Sequence, residues 1–522
     1  MRFLVKNLAP IYVALVASLM AWLYGGAQSW PLVLTVPWLM LFMVEILLVF
    51  PQPHRNESVY DARERVWEKM RADPLVWTAF GLLVLLVIPF VNNGLCPVCD
   101  KDLVAQGMNP NPPIRFLPFC VDRYEHLNVF LWCVTALSCM VATKHCLTRH
   151  GKRLLLELIA WNGTALAVLG FVQVVCGAPG PFWQTLPNGG KYMHFFSAWG
   201  YENMAGDYFT AVFCIAVGLW RWHYDESRTQ TLEVSVHSGT KPRDLFWKQN
   251  LYLIPAAVCF FAALNTLSRS AIILASSAAA VFFVHTFISF AARVSRSRRV
   301  KAVAICGLVL GVIAFCALSY TPKSLKKEVD TLGTTEILDR VTGKGEGKTQ
   351  ADIAIGLWKE HKLFGCGGWG YRHLYFSQVD ESVRKRMEKY EWARTGRANV
   401  HNDYLQVLAE HGLVGLGAFV AIVFLLLKPY FLAWRVLAKS ARFRPAKERP
   451  PRPMRIFALP APAFCIVTAA LATFIHGFAD CPLRSAAVST LFFVELAAIE
   501  GFMPKVEIPE EPKHRHHHHH HH

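Results

Sequence analysis

The stretch HNDYLQVLAEHGLVGLGAFVAIVFLLL, residues 401–427, opens on a polar His-Asn-Asp mouth and continues into an apolar run. The run is long enough to cross roughly 30 Å of hydrocarbon. Working outward, comparable runs recur near 8–27, 32–50, 75–91, 127–143, 154–176, 204–220, 251–267, 271–292, 300–320, 457–475 and 486–502. With the segment at 404–427 they predict about twelve membrane-spanning helices, because a lipid core leaves a single apolar segment no other way to satisfy its backbone. The composition agrees: 53% of residues are apolar and the mean hydropathy is +0.29. The first run follows Arg2 and Lys6 as a signal peptide would, but its length and the second run close behind it favour a retained helix.

Charge sets the expected orientation. Basic residues follow alternate spans: Arg55, Arg63, Arg65, Lys69 and Arg71 after the second, Lys144, Arg149, Lys152 and Arg153 after the fourth, and Arg293, Arg296, Arg298, Arg299 and Lys301 after the eighth. The segment 428–455 continues the pattern. Loops rich in Lys and Arg stay in the cytoplasm, so both termini are expected there. The same rule accounts for the net charge of +17 without nucleic acid, which is not expected as a partner. The expected organisation is spans one to nine in 1–320, an outer loop at 321–403, spans ten to twelve in 404–503, a cytoplasmic tail at 504–515 and an expression tag at 516–522.

The outer loop is too polar for membrane and too long for a connector. Within it, 351–364 has helix-forming composition with Ile353, Leu357 and Trp358 on one side, as for a helix lying along the membrane surface. Residues 383–397 are highly basic and read either as a solvated helix face or as a surface for lipid phosphates. Most of the 14 cysteines lie in apparent spans or loops as small apolar residues; Cys96, Cys99 and Cys120 share one polar loop where a disulfide is possible. Asp100, Lys101 and Asp102 have the Asp-x-Asp spacing of a divalent-ion site, a match short enough to arise by chance.

Three polar clusters fall at the outer ends of spans. His401 and Asn402 stand at the mouth of span ten, where an imidazole can take a proton from a hydroxyl near neutral pH. Ser268, Arg269 and Ser270 make a very short turn between spans seven and eight, and a guanidinium at that depth suits a phosphate or diphosphate. His476, Asp480 and Pro482 close span eleven, with Asp480 able to orient a histidine or pair with an arginine; a purely structural helix end is the alternative. Asn203 at the entry to span six reads as a cap or a binding residue. Glu45 and Glu157 are the acidic residues expected inside, or at the inner end of, spans. A transporter would need ionisable groups or broken helices near mid-membrane and usually an internal repeat, so that reading is the weaker one.

His401-Asn402, followed after nine residues by Gly412-Leu413-Val414-Gly415, resembles the His-Asn motif with spaced glycines of the O-antigen ligase family. That superfamily includes O-antigen and exopolysaccharide polymerases and pilin oligosaccharyltransferases. The Ser-Arg-Ser turn and the His476 to Pro482 segment resemble it as well. HKLFGCGGWGY, 361–371, resembles the family's His-Pro-Leu-x-Gly-x-Gly segment with Lys362 in place of Pro, and Tyr201 stands where the first Asn of an Asn-x-Asn pair is usual. The family often carries a second arginine, whose register here falls near Lys348, with Arg340 eight residues earlier. The resemblance implies an all-α transmembrane glycosyltransferase with a helical periplasmic cap loop between spans nine and ten, working without metal or cofactor. His401 and Arg269 are the expected catalytic residues; Lys348, Arg340, Asn402, His476, Asp480 and Asn203 are expected to bind substrate. The implied partners are an undecaprenyl diphosphate-linked glycan, a lipid A core acceptor or growing glycan chain, and membrane lipids. The implied location is the periplasmic side of the bacterial inner membrane. A ligase is favoured over a polymerase, with a protein oligosaccharyltransferase less so.

Overall fold

The computed structural model describes residues 6–26, 28–54, 56–93, 112–186, 189–192, 194–234, 250–291, 346–378, 399–443 and 460–503. These form helices α1 (Leu8–Trp22), α2 (Ser29–Leu48), α3 (Val59–Ala72), α4 (Pro74–Val91), α5 (Arg123–Val141), α6 (Arg149–Val175) and α7 (Glu202–Val234). They continue with α8 (Leu253–Asn265), α9 (Arg269–Ala291), α10 (Glu346–Glu360), α11 (Gly370–Gln378), α12 (Asp403–Phe443), α13 (Ala461–His476) and α14 (Ala486–Ala498). No β-strand occurs among the described residues. Each predicted span except the ninth falls on one of these helices, and the ninth lies outside the described residues.

Six described helices have the length and apolarity to cross a membrane: α2, α4, α5, α6, α9 and α12. α1, α8 and α13 are apolar but shorter. Burial separates their roles. The apolar windows of α2, α4 and α12 are only 28%, 22% and 22% buried, whereas that of α5 is 72% buried. Trp30, Leu34, Trp38, Leu41 and Phe42 of α2 lie exposed on its outer face, where water would penalise them and lipid tails would not. The chain is a membrane protein by this criterion, with α5 inside the bundle. Every residue of α14 is buried, and small side chains let it approach its neighbours: a Cβ on Gly26 would fall 2.3 Å from the Ala486 Cβ.

A second, smaller core lies beside the bundle. Ile353, Ala354 and Leu357 of α10, Cys366, Tyr371, Leu374 and Tyr375 of α11 and its approach, and Val400 and Ala409 of α12 and its approach are buried together with Phe119 and Val121. The apolar face of α10 is thus spent inside the protein rather than laid on the membrane surface, which corrects the expectation for 351–364. Only Trp358 on that side is partly exposed. The basic stretch 383–397, Cys96, Cys99 and the Asp100 to Asp102 triplet lie outside the described residues. Cys120 is buried, donates from Sγ to the Pro89 carbonyl at 3.3 Å, and burial pushes its thiol up to about 12.

α12 is interrupted at Gly412, which adopts φ 63°, ψ −164°. The segment 361–368 fills the interruption. Leu413 and Val414 donate backbone N–H groups to the carbonyls of Lys362 and Leu363 at 2.9 and 3.0 Å, and Cys366 and Gly367 donate to Ala409 and Glu410 at 3.0 and 2.8 Å. The helix break therefore has backbone partners, as buried polar groups require.

Candidate active site

The site is built where the mouth of α12 meets the turn that follows α13. Asn402 caps α12, its Oδ1 accepting from the N–H groups of Tyr404 and Leu405 at 3.1 and 3.0 Å. Its Nδ2 donates to the Phe478 carbonyl at 3.1 Å, which fastens the mouth to that turn. Tyr404 adds its hydroxyl to the Phe474 carbonyl at 2.6 Å, and Asp403 donates its N–H to Gly477 at 2.8 Å. The Asp403 carboxylate in turn accepts the Leu483 N–H at 3.0 Å. One residue before the cap, His401 takes φ 53°, a left-handed conformation rare for a side chain of its size.

That conformation aims the imidazole at Asp480, with Nδ1 to Oδ1 at 2.9 Å. Asp480 is buried, while His401 keeps 28% of its side-chain surface exposed. The remaining valences of Asp480 are filled. Oδ1 also accepts the Cys481 N–H at 2.8 Å, and Oδ2 accepts the Tyr201 hydroxyl at 2.6 Å together with Asn203 Nδ2. Burial alone would raise this carboxyl, but the hydrogen bond and charge of His401, the charge of His476 and the Tyr201 hydrogen bond outweigh it and hold it well below the usual carboxylate range. A carboxylate only accepts, so a neutral His401 donates from Nδ1 and carries its lone pair on Nε2. This is the arrangement of an oriented general base.

The structure brings together His401, Asp480 and Asn203 of the expected set, with Asn402 as the cap behind them. Asn203 was expected as a possible cap of α7; its amide instead turns to Asp480. His476 is fully buried, with Nδ1 3.0 Å from Asp207 Oδ1, and Thr473 donates to the other Asp207 oxygen at 2.7 Å. This second His-Asp pair ties α13 to α7 just below the first. Arg269 is the first residue of α9 and half-buried. Its turn packs on the opening of α7, where a Cβ on Gly206 would lie 2.4 Å from the Ala271 Cβ and 3.3 Å from the Ser268 Cβ. The same helix end thus carries Asn203 and seats the Arg269 turn. Lys348 lies in the first turn of α10, and Arg340 lies outside the described residues.

The helices bury more acidic residues than the apolar runs alone suggest. Besides Glu45 and Glu157, the described helices hold Asp207, Glu410 and Glu495 in their interiors, all buried. Each lies within an apolar run, a signal that was available in the sequence. Tyr201 was noted only as a departure from an Asn, yet its hydroxyl does the hydrogen-bonding an amide would do there.

His401, Asp480 and Cys481 offer ligand atoms within 4.8 Å of one another. The Asp480 oxygens are already shared among five donor groups, the Cys481 thiol among them, and burial holds that thiol well above its ordinary value, hence protonated. The residues form a hydrogen-bonded hub rather than a ready cation site. Below them a cavity of about 110 Å³ runs between α4, α5, α12 and α14. Its lining is mostly apolar, including Leu82, Leu86, Trp132 and Phe419, with Asp403 and Arg484 also on its wall.

Replacing Asp480 by Asn keeps the shape but removes the charge that fixes the His401 tautomer. The expected result is a fall in turnover of roughly 10²-fold or more at unchanged protein level, within the range general-base catalysis supplies. Wild-type turnover in Asp480→Asn membranes would show that the carboxylate only braces the turn.

No curated protein matches the chain. Residues 254–420 match the family model described as O-Antigen ligase, a span that holds the Arg269 turn, the segment locked into the helix break, His401 and Gly412, and over that span the chain is similar to the O-antigen ligase family.

Proposed function

We propose that the chain is an O-antigen ligase: it transfers a polysaccharide from an undecaprenyl diphosphate-linked donor to a sugar hydroxyl of the lipid A core, at the periplasmic face of the bacterial inner membrane. The observation that carries this reading is the His401–Asp480 pair, 2.9 Å apart with the imidazole partly exposed, at the mouth of a family-matched helix. His401 Nε2 takes the proton of the acceptor hydroxyl as its oxygen attacks the anomeric carbon. The bond from that carbon to the diphosphate oxygen breaks, and undecaprenyl diphosphate leaves with the electron pair. Arg269, helped by Lys348 or Arg340, neutralises the leaving diphosphate, the work a metal ion does in other transferases. That division of labour and the hydrogen-bonded oxygens of Asp480 support a transfer that works without a metal ion.

Two further features support a lipid-linked donor. The cavity near the site, walled mostly by apolar side chains and about 110 Å³ in volume, has room for the first few carbons of a prenyl chain beside its Asp403 and Arg484 wall. The alternation of basic loops supports cytoplasmic termini and a periplasmic site. A polymerase that extends the glycan by its own repeat shares the donor and the chemistry. Deleting the gene separates the two. Loss of a ligase leaves lipid A core bare while long polymer accumulates on the lipid carrier; loss of a polymerase leaves core capped with a single repeat. Electrophoresis of lipopolysaccharide beside carrier-linked glycan reads both pools, and single-repeat capping would overturn the ligase assignment.

A further inference from the structure

The two halves of the His401–Asp480 pair sit on different chain segments, and a buried network joins those segments by a second route. Gln406, fully buried on the first turns of α12, accepts the Val400 N–H on Oε1 at 3.1 Å. Its Nε2 donates to Glu410 Oε1 at 3.1 Å and reaches Asn399 Oδ1 at 3.4 Å. Glu410 Oε2 pairs with Arg484, the last residue of the 3-10 turn Pro482–Arg484 that follows Asp480. The Arg484 guanidinium lies over the Trp369 ring at 4.5 Å and near the Trp132 ring at 5.7 Å. The glycine-rich segment joins the same point, since Gly367 donates to the Glu410 carbonyl at 2.8 Å.

Neither Glu410 nor Arg484 belongs to the proposed proton transfer, and both charges are deep in the protein. An ion pair so placed loses most of its Coulomb gain to desolvation, so its worth lies in fixing geometry rather than in stability. What it fixes is visible in the connections. One end holds residues 399 and 400, which lead directly into the left-handed His401; the other holds Arg484, four residues after Asp480. We infer that Gln406, Glu410 and Arg484 are positioning residues that set the spacing of the His401–Asp480 pair, an inference that rests on the functional reading above.

Gln406→Met tests this while keeping the side-chain volume and both members of the ion pair; it cuts the link to residues 399 and 400 together with the hydrogen bond donated to Glu410 Oε1. Gln406→Asn shortens the link in a different way. The full chain in lipid nanodiscs is assayed with an undecaprenyl diphosphate-linked glycan and lipid A core, with kcat counted per molecule in the monodisperse fraction. Both variants are expected to lose roughly 10- to 100-fold in kcat, the scale of an ångström-level misplacement. KM for either substrate should change by no more than about threefold, since the link acts on the reacting geometry rather than on binding. A purely structural role predicts less folded protein but unchanged kcat per folded molecule. That result, or a loss confined to KM, overturns the inference. His401→Ala in the same assay keeps the questions apart: if it is inactive while Gln406→Met is normal, the positioning network is wrong and the functional reading stands. If His401→Ala is fully active, the functional reading itself fails.

Discussion

His401→Ala is expected to lower transfer by roughly 10²- to 10⁴-fold, the span that a positioned general base contributes, while the protein still reaches the membrane in normal amount. The imidazole is held on one edge by Asp480 and keeps 28% of its side-chain surface exposed, so its removal leaves no enclosed cavity to destabilise the bundle. The helix behind it is capped by Asn402 and anchored by Tyr404, neither of which depends on the imidazole. Transfer measured in membranes with immunoblot-matched protein decides the matter. Activity near wild type would reduce His401 to a residue that merely turns the chain into α12, and the reading of the site would have to move to another base.

The membrane fold was legible because it is written in long apolar runs, and a run of sufficient length has one solution in lipid. The helix ends that carry the site were legible for a related reason: His401, Arg269 and Asp480 are ionisable residues where apolar runs begin or end. The pairing between them was not. His401 and Asp480 are 79 residues apart, and Asp480 accepts from Asn203 across 277 residues. Nothing in local spacing distinguishes a carboxylate aimed at an imidazole from one that ends a helix. The fate of α10 shows the same limit from the apolar side. Ile353 and Leu357 form a stripe that would suit a membrane surface as well as a protein core, and only the tertiary partners from α12 and α11 decide between them. Glu410 and Arg484 each look in the sequence like an unwelcome charge; together they are a buried pair.

The break in α12 leads to the second large effect. Gly412→Ala is expected to abolish transfer and to lower the melting temperature of the purified protein markedly. At φ 63°, ψ −164° the backbone is in a region that essentially only glycine occupies, with a strain of about 1–3 kcal/mol for any other residue. Space adds to strain. A Cβ there would meet the Leu363 carbonyl carbon and oxygen at 2.3 Å and the Phe364 nitrogen at 2.5 Å, all backbone atoms. They cannot swing aside as a side chain end would, because the same segment is bonded across the break through Lys362, Leu363, Cys366 and Gly367. Relief requires the segment 361–368 to lift and give up some of those four hydrogen bonds, each worth about 0.5–1.5 kcal/mol. Lifting it also withdraws Gly367 from the Glu410 carbonyl and Trp369 from Arg484, so the site loses support along with the helix. Gly417 supplies the control five residues further along the same helix, where an added Cβ meets nothing within 4 Å. Gly417→Ala should be neutral or stabilise by up to about 1 kcal/mol, as Gly to Ala does in an ordinary helix. Matching melting temperatures and activities for the two variants would mean that α12 runs through Gly412 without the break, and that the segment 361–368 is not locked into it.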